Sequence, residues 1–329
     1  MAVTSADVAR LAGVSRATVS YVLNDAPGQS IPLDTRESVR QAARELGYRP
    51  NASARSLRKG RGDAVLFPLP GLQRTHVVSL LVDDCASALS PYGLSLVTDF
   101  ARYESADAQL DAWTRLHPAA VIDTLLRHDD PVLPALRGIG VPVLSSALGG
   151  DAGWESTSDA VGRASRHTQI EHLLGSGARR IAVVLPGSLP IDRRMEKDLL
   201  RGLRTHAARG GAALAVHRLD LTGDGLRGLV DSWVAGGLPD GVATYDDHLA
   251  IALLTALVSR GVRVPDDLRL IGSDDLPLAA LTTPSLTTIR PDFTHYAQAI
   301  AMSVLAATRG ESVPPLPVPQ HRLVPRETA

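Results

Sequence analysis

A chain of 329 residues has room for a small domain plus a large one, or for three small ones. Its net charge of −1 hides a split: residues 1–62 carry ten Lys/Arg against five Asp/Glu, and the rest carry 24 against 30, so only the basic head is suited to a polyanion. The single cysteine, Cys85, excludes an intrachain disulfide and a Cys-rich zinc site; with no basic-then-apolar leader and no apolar run near about 18 residues, the chain reads as soluble, cytoplasmic and without a membrane partner.

The first elements are the most informative. Thr4 and Asp7 form a capping box that starts a helix at Ser5, with Val8, Leu11 and Ala12 on one face. Gly13 supplies the unhindered backbone of a short turn, and Ser15 caps a second helix carrying Val19, Val22 and Leu23. This is the pattern of a helix-turn-helix, the unit that lays its second helix in the DNA major groove. A third helix is predicted from a second capping box, Asp34 with Glu37, and carries Val39, Ala42, Ala43 and Leu46 before Gly47 ends it.

Next comes YRPNASARSLRKGRG, residues 48–62. Pro50 and Asn51 suit a helix start, Ala52–Leu57 suffice for two turns, and Gly60 and Gly62 break them. So short a helix folds only against a partner. Its basic residues and one leucine fit a minor-groove wedge as well as they fit a flexible basic linker.

From Ala64 short apolar runs alternate with helical stretches. AVLFPLP, LSLVTDF, AAVID and VPVLS read as buried strands, with helices near 75–90, 105–116 and 131–139. IAVVLPG, ALAVHRL, GVATYD and LRLIGSDD repeat the scheme, with helices near 160–175, 193–209, 224–235 and 247–260. Continuous apolar strands separated by helices mean parallel sheets covered on both faces, and two series mean two α/β lobes. A small-molecule site is expected between lobes, beyond the strand C-termini.

AGVSRATVSYVLN followed by TRESVRQAARELGYRPNASARSLR resembles the head and hinge of the lactose-repressor/galactose-repressor (LacI/GalR) family. The match covers about the first 60 residues and continues more weakly through GSGARRIAVV, SRGVRVPDDLRLIGSDDLPLA, PSLTTIRPDF and LVPRET. The fold class this implies is a small all-α helix-turn-helix head plus a two-lobed α/β periplasmic-binding-protein-like body with parallel sheets. The implied domains are a DNA-binding head at 1–48, a hinge helix and linker at 49–62, and an effector-binding and dimerisation body at 63–329. Within the body the N-lobe takes about 63–158 and 292–319, and the C-lobe about 159–290 and 320–329.

The resemblance implies a homodimer that places one recognition helix in each half of a palindromic operator of double-stranded DNA. By position, Arg16 and Ala17 read bases, with Tyr21 one turn on; an arginine can bond a guanine bidentately and an alanine methyl can meet a thymine methyl. Thr4, Ser15, Thr18, Ser20, Asn24 and Thr35 match phosphate-gripping positions, and Asn51, Ala54 and Leu57 match the hinge, Leu57 as the wedge. Pro32 stands where the family often has a phosphate-binding serine, after a slightly long loop.

For the effector, a sugar or another metabolite, the resemblance points to Asp246, Asp247 and Asp274 at strand ends, although turn and cap positions also favour Asp. Asp275 is assigned instead to structure. Phe293 either stacks on the ligand or fills the hinge between lobes. Leu199 replaces an arginine common in sugar-binding members, so Arg193 or Arg194 substitutes. The N-lobe fits least well, because PLPGLQRTHVV lacks the usual entry to its first helix.

The reading is therefore a sequence-specific transcriptional regulator, a repressor under small-molecule control, with no cofactor, metal or catalytic residue. A body that only dimerises is the alternative within this class. An α/β enzyme with a DNA-binding head is the alternative outside it, resting on acidic doublets such as Asp246-Asp247; no Walker loop, HExxH or GxSxG occurs to support it.

Overall fold

The computed structural model describes residues 3–23, 30–49, 62–69, 76–123, 130–145, 157–187, 193–219, 223–313 and 316–329; of 157–163, 193–196, 198 and 223 it describes the backbone only. The chain divides into two units, Met1–Asp63 and Ala64–Ala329.

The first unit holds α1 (Ser5–Ala12), α2 (Arg16–Leu23) and α3 (Leu33–Glu45). The capping box at α1 forms: the Thr4 backbone N–H and hydroxyl both donate to Asp7, at 3.0 and 2.7 Å. Gly13 then takes the left-handed conformation, φ +66°, that turns the chain out of the helix. Val8, Ala9, Val19, Val22, Val39, Ala42 and Ala43 close the three-helix core. Two expectations are corrected. Leu11 is 52% exposed, because the packed face of α1 runs through Val8, Ala9 and Ala12 instead. The Asp34/Glu37 box does not form: Pro32, which needs no N–H partner at a helix start, precedes α3, so Asp34 lies already within the first turn.

The second unit contains two parallel four-stranded sheets. In the N-lobe, β1 (Ala64–Pro68), β2 (Ser95–Asp99), β3 (Ala120–Asp123) and β4 (Val143–Ser145) lie in the order β2-β1-β3-β4. The helices between them are α4 (His76–Leu89), α5 (Ala106–Thr114) and α6 (Val132–Gly138). The C-lobe repeats the plan after α7 (Thr157–Gly175): β5 (Arg180–Pro186), α8 (Arg193–Arg209), β6 (Ala213–Leu219), α9 (Gly223–Gly236), β7 (Gly241–Thr244), α10 (Asp247–Ser259) and β8 (Arg269–Ile271). Its sheet order is β6-β5-β7-β8. Strand order reverses between β1 and β3 and again between β5 and β7, and open parallel sheets bind ligands beyond the strand ends at such points.

After β8 the chain forms β9 (Thr288–Asp292) and enters α11 (Thr294–Thr308), whose Tyr296, Ile300, Ala301 and Val304 join Val65, Phe67 and Cys85 in the N-lobe core. β10 (Gln320–Val324) returns antiparallel to β9, from Gln320 opposite Asp292 to Val324 opposite Thr288. The last residues then pair with the β8 edge, where the Leu270 N–H donates to the Thr328 carbonyl at 2.9 Å. The two lobes are thus bound by chain that leaves one core, completes the other and comes back. Among the described residues no helix is long and apolar enough to cross a membrane.

Candidate functional site

In the head, the start of α2 is built by two small hydroxyl residues. Ser15 Oγ accepts the Thr18 backbone N–H at 3.0 Å and shares a second hydrogen bond with the Thr18 hydroxyl at 2.9 Å. That cap fixes the helix end, while Val19 and Val22 anchor one face in the core. Arg16, Ala17 and Tyr21 lie on the exposed side, and Ser20 and Thr35 are half-buried. The described phosphate candidates Thr4, Ser15 and Thr18 all sit at helix starts, where backbone N–H groups and the helix dipole favour an anion. Asn24, Asn51, Ala54 and Leu57 lie outside the described residues.

In the body, polar residues collect at the C-terminal ends of β7 and β8. Asp246 caps α10, its carboxylate accepting the Leu249 N–H at 2.8 Å. Asp274 follows β8 with φ +107°, uncommon for a residue with a side chain and a conformation that clusters at functional positions. α7 runs past these strand ends and contributes three neighbours that sequence reasoning missed. The Ser165 hydroxyl bonds that of Ser273 at 2.9 Å. The Gln169 amide donates to the Thr244 and Gly272 carbonyls at 3.0 and 2.8 Å. Between them Arg166 places its guanidinium 4.7 Å from the centroid of the Tyr245 ring, attracted by the nearby Asp274 and Asp246. Burial lowers the Arg166 pKa from its ordinary value, and these neighbours oppose the shift.

The other expected effector residues are placed differently. Asp247 is fully buried; it accepts from the Thr288 hydroxyl at 2.6 Å and the Leu276 N–H at 2.8 Å, so its carboxylate already closes a structural joint between α10 and β9. Phe293 is buried in the N-lobe core, filling rather than facing a ligand site. The backbone of Arg193 starts α8, and its side chain lies outside the described residues. Asp275, assigned to structure, is clamped by Arg326 at 2.6 Å and by Arg290.

Burial pushes Asp274 up to about 8, helped by the charges of Asp246 and Asp247, and it pushes Asp247 up to about 7 against the two hydrogen bonds it accepts. An acid raised above its ordinary value of 3.8 binds more protons folded than unfolded. Its contribution is therefore complete below about pH 4 and is lost as pH rises towards 8. The stability of the body is expected to fall between pH 5 and pH 8, and Asp274→Asn is expected to flatten that fall. Denaturant midpoints at the two pH values check this; equal slopes in both proteins would show that Asp274 does not carry the effect. Among the described residues no three His, Cys, Asp or Glu converge to hold a metal ion.

Residues 4–51 match the family of bacterial regulatory proteins, lacI family, and residues 170–329 match the periplasmic binding protein-like domain. The chain is 30% identical over 316 residues to the HTH-type transcriptional regulator GalS of Salmonella typhimurium, covering 88% of this chain and 85% of that protein. It is 29% identical over 322 residues to the HTH-type transcriptional regulator CelR of Thermobifida fusca, covering 94% and 93%. Among solved structures it resembles the lac repressor dimer bound to operator and the anti-inducer ONPF, with a TM-score of 0.75, 26% identity and coverage of 100% of this chain and 99% of that one. It also resembles a transcriptional regulator CelR–cellobiose complex, with a TM-score of 0.61, 26% identity and coverage of 99% and 100%.

Proposed function

The chain belongs to the lacI family of bacterial regulatory proteins and is a DNA-binding transcriptional regulator, and from that premise we propose that it is a repressor. As a homodimer it binds a palindromic operator, and a small molecule held by the body controls it, without a catalytic step. The observation that carries this reading is the face of α2: a helix capped at Ser15, pinned by two buried valines, with Arg16, Ala17 and Tyr21 turned outward. A palindrome calls for a two-fold protein with one such helix per half-site. Thr4, Ser15, Thr18, Ser20 and Thr35, together with Asn24, set the register on the backbone; Asn51, Ala54 and Leu57 serve as the hinge in the minor groove. The proposed working place is the cytoplasm, on the nucleoid.

Control by a small molecule is supported by the polar constellation at the ends of β7 and β8, where Asp246 and Asp274 are the proposed contacts. The effector shifts the regulator only by binding one of its two states more tightly. The lac repressor and CelR structures named above hold ONPF and cellobiose respectively; here the effector is proposed as a small polar metabolite of that general size.

Selection of duplexes from a random library by the purified chain tests the reading. A near-palindromic motif is expected, and selection without any enriched motif would overturn it. Within that motif, Arg16→Ala is expected to relax preference at one base pair in each half-site, at a cost of about 1–3 kcal/mol. A selected motif identical to that of the unsubstituted chain would remove Arg16 from the base readers.

A further inference from the structure

We propose that the outward face of α8 is a second DNA contact: a basic stripe on the body that holds duplex DNA by its phosphate backbone, separate from the base-reading helix of the head. This goes beyond the function proposed above, which gives DNA to the head and hinge alone.

The charge distribution comes first. Residues 193–209 carry six Lys/Arg against Glu196 and Asp198, while the remainder of residues 63–329 carries 18 against 28. A positive helix thus stands in a negative body. One face of α8 is pinned: Leu203 and Ala207 are buried and Leu199 and Leu200 pack beside them, in one core with Ile181 and Val183 of β5 and Ile170 and Leu173 of α7. The spacing i, i+4, i+7 sets Lys197, Arg201 and Arg204 together on the outward side. All three are exposed, as is Arg209 at the helix end. At about 1.5 Å per residue the stripe from Lys197 to Arg209 is about 18 Å long. That length faces several phosphates, since duplex DNA carries one charge in about every 1.7 Å of its axis.

Helix stability does not account for these residues. Arg193 and Arg194 stand in the first turn, where the helix dipole disfavours a cation, and Lys197, Arg201 and Arg204 repel one another at helical spacing. Elsewhere in the lobe exposed helix arginines are neutralised: Arg260 by Asp231 at 2.7 Å and Arg227 by Asp224 at 2.5 Å. Lys197, Arg204 and Arg209 have no ion pair among the described residues. The chemistry of the stripe also chooses between polyanions. A protein interface is built round apolar and aromatic anchors, whereas the other exposed residues described between Lys197 and Arg209 are Thr205 and Ala208. Charge without an apolar centre matches a phosphate backbone, which is gripped without regard to sequence.

The chain has two lysines, Lys59 and Lys197, so acylation of amines followed by mass spectrometry reads the hinge and the stripe separately. The full chain is labelled alone, with a mixed-sequence duplex of about 40 base pairs, and with poly-L-glutamate, all at low salt. The duplex is expected to protect both lysines, and the protection of Lys197 is expected to vanish at high salt. Equal labelling of Lys197 with and without the duplex would overturn the inference. Protection of Lys59 in the same sample then leaves the DNA-binding head standing, and its absence takes that reading down as well. Protection of Lys197 by poly-L-glutamate but not by the duplex would assign the face to an acidic protein, and would overturn the inference too. Replacing Arg201→Gln and Arg204→Gln together removes two phosphate contacts, so the slope of log affinity against log salt for the same duplex is expected to become shallower by about 2. An unchanged slope would remove α8 from the DNA contacts. If that variant fails to fold, labelling of the unsubstituted chain still decides.

Discussion

Replacing Asp275 with alanine is expected to destabilise the body by about 3–5 kcal/mol, with the lower end favoured. The carboxylate joins three separate stretches of chain: the turn after β8, where it sits with φ +51°, the strand β9 through Arg290, and the final segment through Arg326. The two arginines are not equal. Arg290 is 45% exposed and recovers water when its partner goes, so its share is small. Arg326 is 17% exposed and also donates to the Leu286 carbonyl at 2.7 Å, so it stays in place with its charge uncompensated. Burial alone would raise the Asp275 pKa, but the hydrogen bonds and charges of Arg326 and Arg290 hold it below the usual carboxylate value. The contribution of this clamp is thus present at neutral pH and is lost as pH falls through that depressed value. Urea denaturation at pH 7 measures the effect; a loss under about 1 kcal/mol would place the clamp among solvent-screened surface pairs.

What was legible in the sequence follows from how local its causes are. The capping box at Thr4, the left-handed Gly13 and the cap at Ser15 depend on residues within a few positions of each other, and all three are present. The same holds for the two series of apolar strands, whose β-α alternation needs nothing beyond periodicity. Asp34 and Glu37 have capping-box spacing, yet the rigid Pro32 sets the start of α3 two residues earlier than that box predicts. Helical spacing puts Leu11 on the same face as Val8 and Ala12, but spacing alone leaves open which edge of an amphipathic face turns inward. The effector region was legible only in part. Asp246 and Asp274 stand at strand ends that the pattern identifies, but Asp247, one residue on from Asp246, points into the protein to meet Thr288. Arg166 lies some eighty residues before Tyr245, and only the packing of α7 across the ends of β7 and β8 joins them. No local signal in α7 marks that residue.

Gly272→Ala is the other substitution expected to be severe, and it tests how tightly the same strand end is built. A Cβ added at Gly272 would lie 2.0 Å from Asp247 Oδ1 and 3.1 Å from Leu286 Cδ2. Neither neighbour has room: Leu286 is fully buried, and Asp247 is fixed by the hydrogen bonds from Thr288 and Leu276. Relief requires moving the carboxylate off those donors or shifting the β8 backbone. Overpacking costs about 1–3 kcal/mol and a broken buried hydrogen bond adds about 1–3 kcal/mol, so a loss near 3 kcal/mol or more is expected. Gly202, inside α8, is the matched control, since an added Cβ there meets nothing within 4 Å. Gly202→Ala is expected to stabilise by about 0.5–1 kcal/mol through helix propensity alone. Opposite signs in the two unfolding midpoints are the expected result; a neutral Gly272→Ala would mean that Asp247 yields easily and does not brace the site. Because Ser273 and Asp274 follow directly, the displacement that relieves Gly272→Ala also moves the proposed effector contact, so a folded variant is expected to lose effector response along with stability.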